Sequence, residues 1–221
     1  LVGTFYGYTF GLRGEPRQQC GGHHALERIL DSPTLDFLAS PHLYWHYRAL
    51  GTGTPAIMAP LESIRLHGKL WYNETDIPTS IPGRVTHFLP KPRGIAADVL
   101  RQRRLCSWVI ARGLAHWWFD VGDIRYDHPD LRAVIAQAVE AAESAKALDR
   151  SPVDEIAFVV DEGSVKYLNV GDQLGEDLLT GQLTALCRSG APVGHYALHD
   201  LGRITDRKLF LFGGILAPSE E

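Results

Sequence analysis

The sequence has few cysteines and no long apolar run, and both shortages exclude classes of protein. Its 221 residues include three cysteines, an odd number, and no two of them have the C-x-x-C spacing of a metal or redox motif. We therefore expect no disulfide framework, and the scarcity favours a reducing, cytoplasmic location. No stretch of about 18 apolar residues is present, so we expect neither a membrane-spanning helix nor a membrane partner.

The sequence also lacks a strong excess of charge of one sign, and it lacks the common cofactor motifs. The formal net charge is −4, which predicts no nucleic-acid partner. The chain has no glycine-rich phosphate loop, no nucleophile-elbow serine and no H-E-x-x-H, so we expect no cofactor. The pair His23-His24 has no carboxylate at metal-ligand spacing. No metal site is predicted, and a hydrolase with a metal at this histidine-rich rim stays open as an alternative.

Strand-like runs alternate with helical patterns, which is typical of an α/β fold with a parallel sheet. In the first 150 residues we predict strands at 1–8, 35–39, 69–72 and 115–120. We predict helices at 22–30, 61–66, 95–112 and 129–148. The third strand runs directly into Asn73-Glu74. We place a domain boundary near 149–152, which divides the chain into domains 1–150 and 151–221.

The second domain repeats the alternation on a smaller scale. We predict strands at 155–161, 193–198 and 208–212 and a helix at 178–189. The chain begins without Met inside a β-rich run and ends shortly after the last strand. We therefore expect a piece of a longer protein.

Polar residues that follow the strands are the candidates for chemistry, because parallel α/β enzymes place their working groups at the carboxyl ends of the strands. Glu74 and Asp76 follow the third strand, and Trp118 and Asp120 end the fourth. Tyr8 ends the first, and Tyr44 and Arg48 follow the second. A rigidly held carboxylate at such an edge suits the nucleophile of a glycosidase, with aromatic faces and polar groups to bind the sugar.

Each of these candidates also has a purely structural interpretation. Glu74 would serve equally as a salt-bridged carboxylate. Strand alternation places one of Trp117 and Trp118 under the helices. The pair His23-His24 precedes a helix and would contribute to its N-terminus.

Several phrases taken together resemble one family. They are Phe5-Tyr6-Gly7-Tyr8, Gly22-His23 with Ala25-Leu26, Ser32-Pro33 with Asp36-Phe37, Ser40-Pro41 with Tyr44 and Arg48, His67-Gly68-Lys69-Leu70-Trp71, Asn73-Glu74 with Asp76, and Trp117-Trp118-Phe119-Asp120. In order and spacing they resemble the C-terminal half of the barrel in β-galactosidase-like glycoside hydrolases of clan A, close to family 42. The run from Ile156 onward resembles the flavodoxin-like trimerisation domain that follows that barrel.

The resemblance implies a fold and a set of roles. It implies strands five to eight of a (β/α)8 TIM barrel followed by a partial flavodoxin-like domain. Glu74 would then end the seventh barrel strand and act as the catalytic nucleophile of a retaining enzyme on β-linked sugars. The substrate would be bound by Tyr8, His24, Tyr44, Arg48, Asp76, Trp118 and Asp120. The acid/base of this clan ends the fourth strand and has no match here, and Glu15, the carboxylate near the right rim, has no motif to support it.

Two further expectations follow from an incomplete barrel. Open sheet edges favour association, so we expect a homo-oligomer or a complex with a missing N-terminal half-barrel, besides the carbohydrate substrate. The alternative function is a non-catalytic carbohydrate-binding or assembly fragment of such an enzyme.

Overall fold

A computed structural model describes residues 1–10, 22–44, 48–55, 58–81, 94–120, 125–168 and 173–218. Strands and helices alternate along these residues and build two parallel sheets. The predicted α/β class is therefore confirmed.

The first sheet has four parallel strands in the order β1-β2-β3-β4. They are β1 (Gly3–Phe5), β2 (Phe37–Pro41), β3 (Leu70–Thr75) and β4 (Ala115–Trp118). Each strand pairs with the next along the chain, so the sheet contains no change of winding direction. The register places Glu74 beside Pro41 on one side and beside Trp117 on the other.

Four helices follow these strands in turn. They are α1 (Leu26–Leu30), α2 (Leu61–Leu66), α3 (Ile95–Ala111) and α4 (Pro129–Ala145). The start of α4 follows local chemistry: Pro129 occupies the first turn, where its missing N–H costs nothing, and His128 Nδ1 accepts the N–H of Asp130. Its buried residues Leu131 and Val134 lie on the apolar stripe that predicted the helix.

The second sheet has three parallel strands with β5 in the centre, in the order β6-β5-β7. The strands are β5 (Ile156–Val160), β6 (Val193–Ala197) and β7 (Leu209–Gly213). Between β5 and β6 lie α5 (Gln173–Gly175), a π-helical turn (Glu176–Gly181) and α6 (Gln182–Ser189). Helix α6 ends at Gly190, whose φ of 74° is the left-handed conformation that favours glycine at this position.

Most predicted elements are present, and the differences lie at their ends. The first strand and first helix are shorter than predicted, and β3 continues through Glu74 to Thr75. Two 3-10 helices, Gly163–Tyr167 and Leu198–Arg203, were not predicted. Such short helices lack the repeated apolar spacing by which longer helices are recognised.

The two faces of the first sheet have different surroundings. On one face, Leu38 and Trp71 pack with Leu26, Leu61 and Ile64 of helices α1 and α2 in one buried cluster. The opposite face carries a row of large apolar side chains that no described helix covers: Phe5, Phe37, Leu70, Tyr72, Trp117 and Phe119. Phe5 and Leu70 are 49% and 40% exposed.

Both predicted domains contribute to one buried cluster. Phe10, Leu43 and Met58 from the first segment pack with Phe158 and Leu183 from the second. The predicted boundary near 149–152 falls between α4 and β5. The segments on either side of it are therefore held together by shared apolar burial.

Helix α2 protects the outer edge of the second sheet. Strand β6 lies at that edge, and its outward N–H groups at His195 and Ala197 donate to Glu62 Oε2 at 2.6 Å and Ser63 Oγ at 2.8 Å. The other Glu62 oxygen pairs with Arg112, which also approaches the carbonyl of Val193 at 3.4 Å. Side chains thus replace the partner strand that an open edge lacks.

Two expectations from composition can be compared with the fold. None of the helices in the described segments has the length and apolar character that crossing a bilayer requires. Cys106 and Cys187 are buried free thiols, and Cys20 lies outside the described residues.

Replacing Glu62 with alanine should destabilise the protein by about 3 kcal/mol, because it leaves the Arg112 charge and a buried N–H of β6 without their acceptor. Urea unfolding measures the change. The control is Glu143→Gln, which removes an exposed ion pair with Lys146 and should cost less than about 1 kcal/mol. Equal effects of the two substitutions would refute the role assigned to Glu62.

We expect the protein to self-associate through the uncovered face and open edges of the first sheet. Light scattering after gel filtration should give a mass above that of one chain. Phe5→Lys places a charge on the edge strand and should shift the protein towards monomer. Val139→Lys is the control, because this side chain is equally exposed (50%) but lies on α4. A monomeric wild-type protein would contradict the expectation.

Candidate functional site

The carboxyl ends of the four parallel strands bring the predicted site residues to one edge of the first sheet. Tyr8 follows β1, Tyr44 follows β2, and Glu74 is the penultimate residue of β3. Asp76 comes directly after β3, and Asp120 follows β4. The structure therefore places these residues at the edge that the direction of the parallel strands predicted.

Arg48 is the organising residue of the site. Its side chain is fully buried, and Nη2 lies 2.6 Å from Asp76 Oδ1. The same guanidinium donates to the carbonyls of Leu43 at 3.2 Å and His42 at 3.1 Å, which fixes the chain just after β2. Nη1 is buried and has no hydrogen-bond partner among the described residues. One donor therefore remains available to a ligand.

Two tyrosines lie against this ion pair. The guanidinium carbon of Arg48 is 4.0 Å from the centre of the Tyr44 ring, a cation–π contact. A hydrogen bond joins the side chains of Tyr8 and Tyr44. Burial, with the charges of Glu74 and Asp76, raises the pKa of Tyr8 to about 12, and burial raises the pKa of Tyr44 above its ordinary value. Both hydroxyls therefore stay protonated. Because one donates to the other, one O–H remains to donate to a ligand.

Glu74 is the titrating group of the site. It is 7% exposed. Burial raises its pKa from 4.5 to about 7, the Asp76 charge adds to the rise, and Arg48 opposes it. A carboxyl group that ionises near neutral pH can serve as a base, a nucleophile or an acid, depending on the reacting atom placed beside it.

The loop after Glu74 is held from several sides. The backbone carbonyl of Asp76 accepts from Arg125 at 3.4 Å, and that of Ile77 accepts from the Tyr126 hydroxyl at 3.4 Å. Helix α3 adds contacts to the same loop through Asp98, which accepts from Ser80 N–H and Oγ–H. This shell keeps Glu74 and Asp76 in fixed positions, as a preorganised site requires.

Trp118 is placed differently from its neighbour Trp117. Its indole N–H donates to Gln102 of α3 at 3.0 Å, so Trp118 lies on the helical side of the sheet. The register pairs Trp117 with Glu74, and the two share the opposite face. Trp118, predicted as a substrate contact, therefore points away from Glu74, because alternate strand residues point to opposite faces.

The histidine pair lies near Tyr8, with the two rings in different roles. The His23 ring packs 4.6 Å from Tyr8 and 4.8 Å from Tyr6 between ring centres. Burial lowers the pKa of His23, which favours its neutral form. His24 Nε2 is buried without a hydrogen-bond partner in the described part of the chain. His23, which was not among the predicted substrate contacts, therefore adds an aromatic ring beside Tyr8.

Asp120 supports the site from outside. Both of its carboxylate oxygens accept the backbone N–H of Arg125 at 3.1 Å. Because Arg125 in turn contacts the loop after β3, Asp120 positions that loop. Glu15, the carboxylate that the sequence offered near the right rim for the acid/base role, lies outside the described residues.

Comparisons with protein-family models, curated proteins and solved structures return no match to this chain. The family resemblance of its motifs therefore stays a hypothesis. The site itself combines a buried carboxyl group, an ion-paired carboxylate with a buried arginine, and two protonated tyrosines at one sheet edge.

Glu74→Gln should stabilise the protein at alkaline pH. The folded-state pKa is raised to about 7 from 4.5, so the folded protein binds the extra proton and loses stability as pH rises between these values. Above pH 7 the substitution removes a buried charge, and we expect a gain of about 1 to 2 kcal/mol. Near pH 4.5 the gain should be small.

Urea unfolding of wild type and variant at both pH values measures this dependence. The exposed Glu140→Gln is the control and should show no comparable change with pH. A variant that is no more stable than wild type at pH 8 would contradict the buried, proton-binding state of Glu74.

Proposed function

We propose that the chain is a retaining glycoside hydrolase that acts on β-linked sugars in the manner of β-galactosidases, with Glu74 as the nucleophile. The observation that carries the proposal is the position of Glu74 at the carboxyl edge of β3, beside the Arg48–Asp76 ion pair. A retaining enzyme needs one rigid carboxylate that can attack the anomeric carbon. Glu74 meets this need once it is ionised.

The groups around Glu74 suit the recognition of sugar hydroxyls. Of the hydrogen-bonded Tyr8 and Tyr44 hydroxyls, one can donate to a sugar and the other can accept. Arg48 Nη1 is a further donor, and the second oxygen of Asp76 is an acceptor. Trp117 and Tyr72 offer apolar ring faces on the side of the sheet that carries Glu74. We assign substrate contacts to these residues, and the His23 ring packs against Tyr8 beside them.

The sheet topology supports the fold that this function implies. Four parallel strands that pair in chain order, each followed by a helix, are the winding of a (β/α)8 barrel. We propose that they form half of such a barrel. The second sheet has the order 2-1-3 that begins a flavodoxin-like domain. We propose that the second predicted domain, 151–221, is of this kind.

The proposal limits which substrates this chain can hydrolyse without a further carboxylate as general acid. Asp76 lies beside Glu74, but its oxygen is engaged by Arg48 at 2.6 Å, which makes it a poor proton donor. General acid help is worth about 10²- to 10⁴-fold. Aryl glycosides, whose leaving groups need no proton, should therefore react much faster than disaccharides.

Trapping of the glycosyl-enzyme tests the nucleophile directly. Incubation with dinitrophenyl 2-deoxy-2-fluoro-β-galactoside should add one fluoroglycosyl unit to the intact mass, and Glu74→Gln should add none. The rate of labelling should rise with pH around a midpoint of about 7, because only the ionised carboxylate attacks.

Glu162→Gln is a matched control for this experiment. Burial also raises the pKa of Glu162 to about 7, yet its carboxylate accepts the N–H of Leu26 and is not among the groups that shift Glu74. It should label like wild type. Absence of an adduct, with the gluco reagent also inert, would reject the nucleophile. Disaccharide hydrolysis that falls above pH 7 would instead identify Glu74 as a general acid.

A second candidate function is a non-catalytic carbohydrate-binding module. The row of aromatic rings on the uncovered sheet face favours it, because Tyr72, Trp117 and Phe119 lie within 6.4 Å of their neighbours, ring centre to ring centre. Such rings stack on sugars without any catalytic group. Saturable sugar binding by calorimetry, unaffected by Glu74→Gln and without an adduct, would select this function.

A further inference from the structure

A second cluster of polar side chains lies away from Glu74, where the two sheets meet. His67 is the residue at which α2 ends, and His199 and Asp200 belong to the 3-10 helix Leu198–Arg203. Among the described residues this is the group of three whose metal-ligating atoms converge, all within 4.8 Å of one another. None of the three has a part in the proposed glycosidase chemistry.

The distances within the cluster suit a small divalent metal ion. His67 Nε2 lies 3.0 Å from Asp200 Oδ1, and His199 Nε2 lies 3.5 Å from Asp200 Oδ2. Ligand atoms held at about 2.0 to 2.1 Å from a tetrahedral zinc ion are about 3.3 Å apart. Each histidine thus lies at nearly the required distance from one Asp200 oxygen, His67 from Oδ1 and His199 from Oδ2. His199, the exposed member, can move closer to His67 by side-chain rotation.

The Asp200 carboxylate provides independent support for a ligand. Its side chain is 1% exposed, and its Oδ2 atom is buried with no hydrogen-bond partner in the described structure. A buried carboxylate oxygen without a donor is costly. Oδ2 is also the atom that approaches His199, so a cation between them would satisfy it.

His67 already has the outer partner that metal-binding histidines usually have. Its Nδ1 atom lies 3.2 Å from Asp31 Oδ1, which leaves Nε2 to face Asp200. A carboxylate on the far ring nitrogen fixes the tautomer and the ring direction of a metal ligand. The sequence did not reveal this arrangement, because Asp31 and Asp200 are distant from His67 along the chain.

Arg203 now occupies part of the space that a metal would take. Its Nη1 atom lies 3.0 Å from Asp200 Oδ1 and 2.9 Å from His67 Nε2. A cationic group therefore already bridges Asp200 Oδ1 and His67 Nε2, whereas Asp200 Oδ2 is left without a donor. The Arg203 side chain is 47% exposed, so it can move into solvent, but it must compete with the metal.

We propose that His67, His199 and Asp200 bind one divalent transition-metal ion of the zinc class, oriented by Asp31 and in competition with Arg203. Two imidazoles and a carboxylate are the donors that such ions accept, and three protein ligands leave a coordination position open. The ion would join α2 of the first segment to the 3-10 helix of the second. The site is separate from Glu74 and does not depend on the glycosidase proposal.

Zinc titration of the chelator-treated, dialysed full chain tests the site, with a chromophoric chelator as competitor. We expect one equivalent to bind. His199→Gln should weaken binding at least about tenfold, and Asp31→Asn should weaken it about 10- to 100-fold, as outer partners of metal-ligating histidines do. Arg203→Gln should tighten it, because the competing cation is removed. Visible absorption of the cobalt-loaded protein should show the same order.

His128→Asn is the control, because it removes a surface imidazole while asparagine retains the N-cap of α4. Its zinc affinity should equal that of wild type. Failure of wild type to bind one equivalent would overturn the proposal. Equal affinities in wild type, His199→Gln and Arg203→Gln would also overturn it, since they indicate adventitious binding. Because zinc affinity should fall in His199→Gln and rise in Arg203→Gln, a folding defect in one variant cannot account for both results.

Discussion

The Glu62 carboxylate joins the two halves of this molecule. It is 2% exposed, and burial of a charge in this way is unfavourable unless the charge is matched. Here Arg112 matches the charge, and the N–H of His195 in strand β6 uses the second oxygen. Burial raises the pKa of Glu62, and Arg112 opposes that rise. One side chain of a six-residue helix thus serves both the first sheet's helical layer and the edge of the second sheet.

Other contacts between the two segments are consistent with this link through Glu62. Because α2 is fixed against β6, the loops around Leu43 and Met58 can share a buried cluster with Phe158. The proposed metal cluster lies at the C-terminal end of the same helix, at His67. Two polar links, one at Glu62 and one at His67, would then hold α2 to the second segment. The interface between the segments is therefore as well defined as the core of either.

The Glu74 site also depends on a buried charge with a specific partner, in this case Arg48 with Asp76. Arg48 is buried and directs its charge to Asp76, whereas Glu74 receives only part of that stabilisation. The two carboxylates consequently differ: one is ion-paired, and the other has a pKa of about 7. A pair of acidic groups separated in this way is the usual basis for dividing chemical roles between them. The loop contacts from Arg125, Tyr126 and α3 maintain that division.

The sequence by itself determined the α/β class, the order of strands and helices, and the position of Glu74 at the carboxyl end of β3. These features follow from local periodicity and from the direction of parallel strands, so each can be predicted from one short segment of the sequence. The tertiary structure alone decided which tryptophan shares a face with Glu74, since that depends on register. It also decided how deeply Glu74 is buried, which raises its pKa, and which carboxylate Arg48 pairs with. The His67–Asp200 contact joins residues 133 apart, and only the packing of α2 against the second sheet brings such distant side chains within bonding distance.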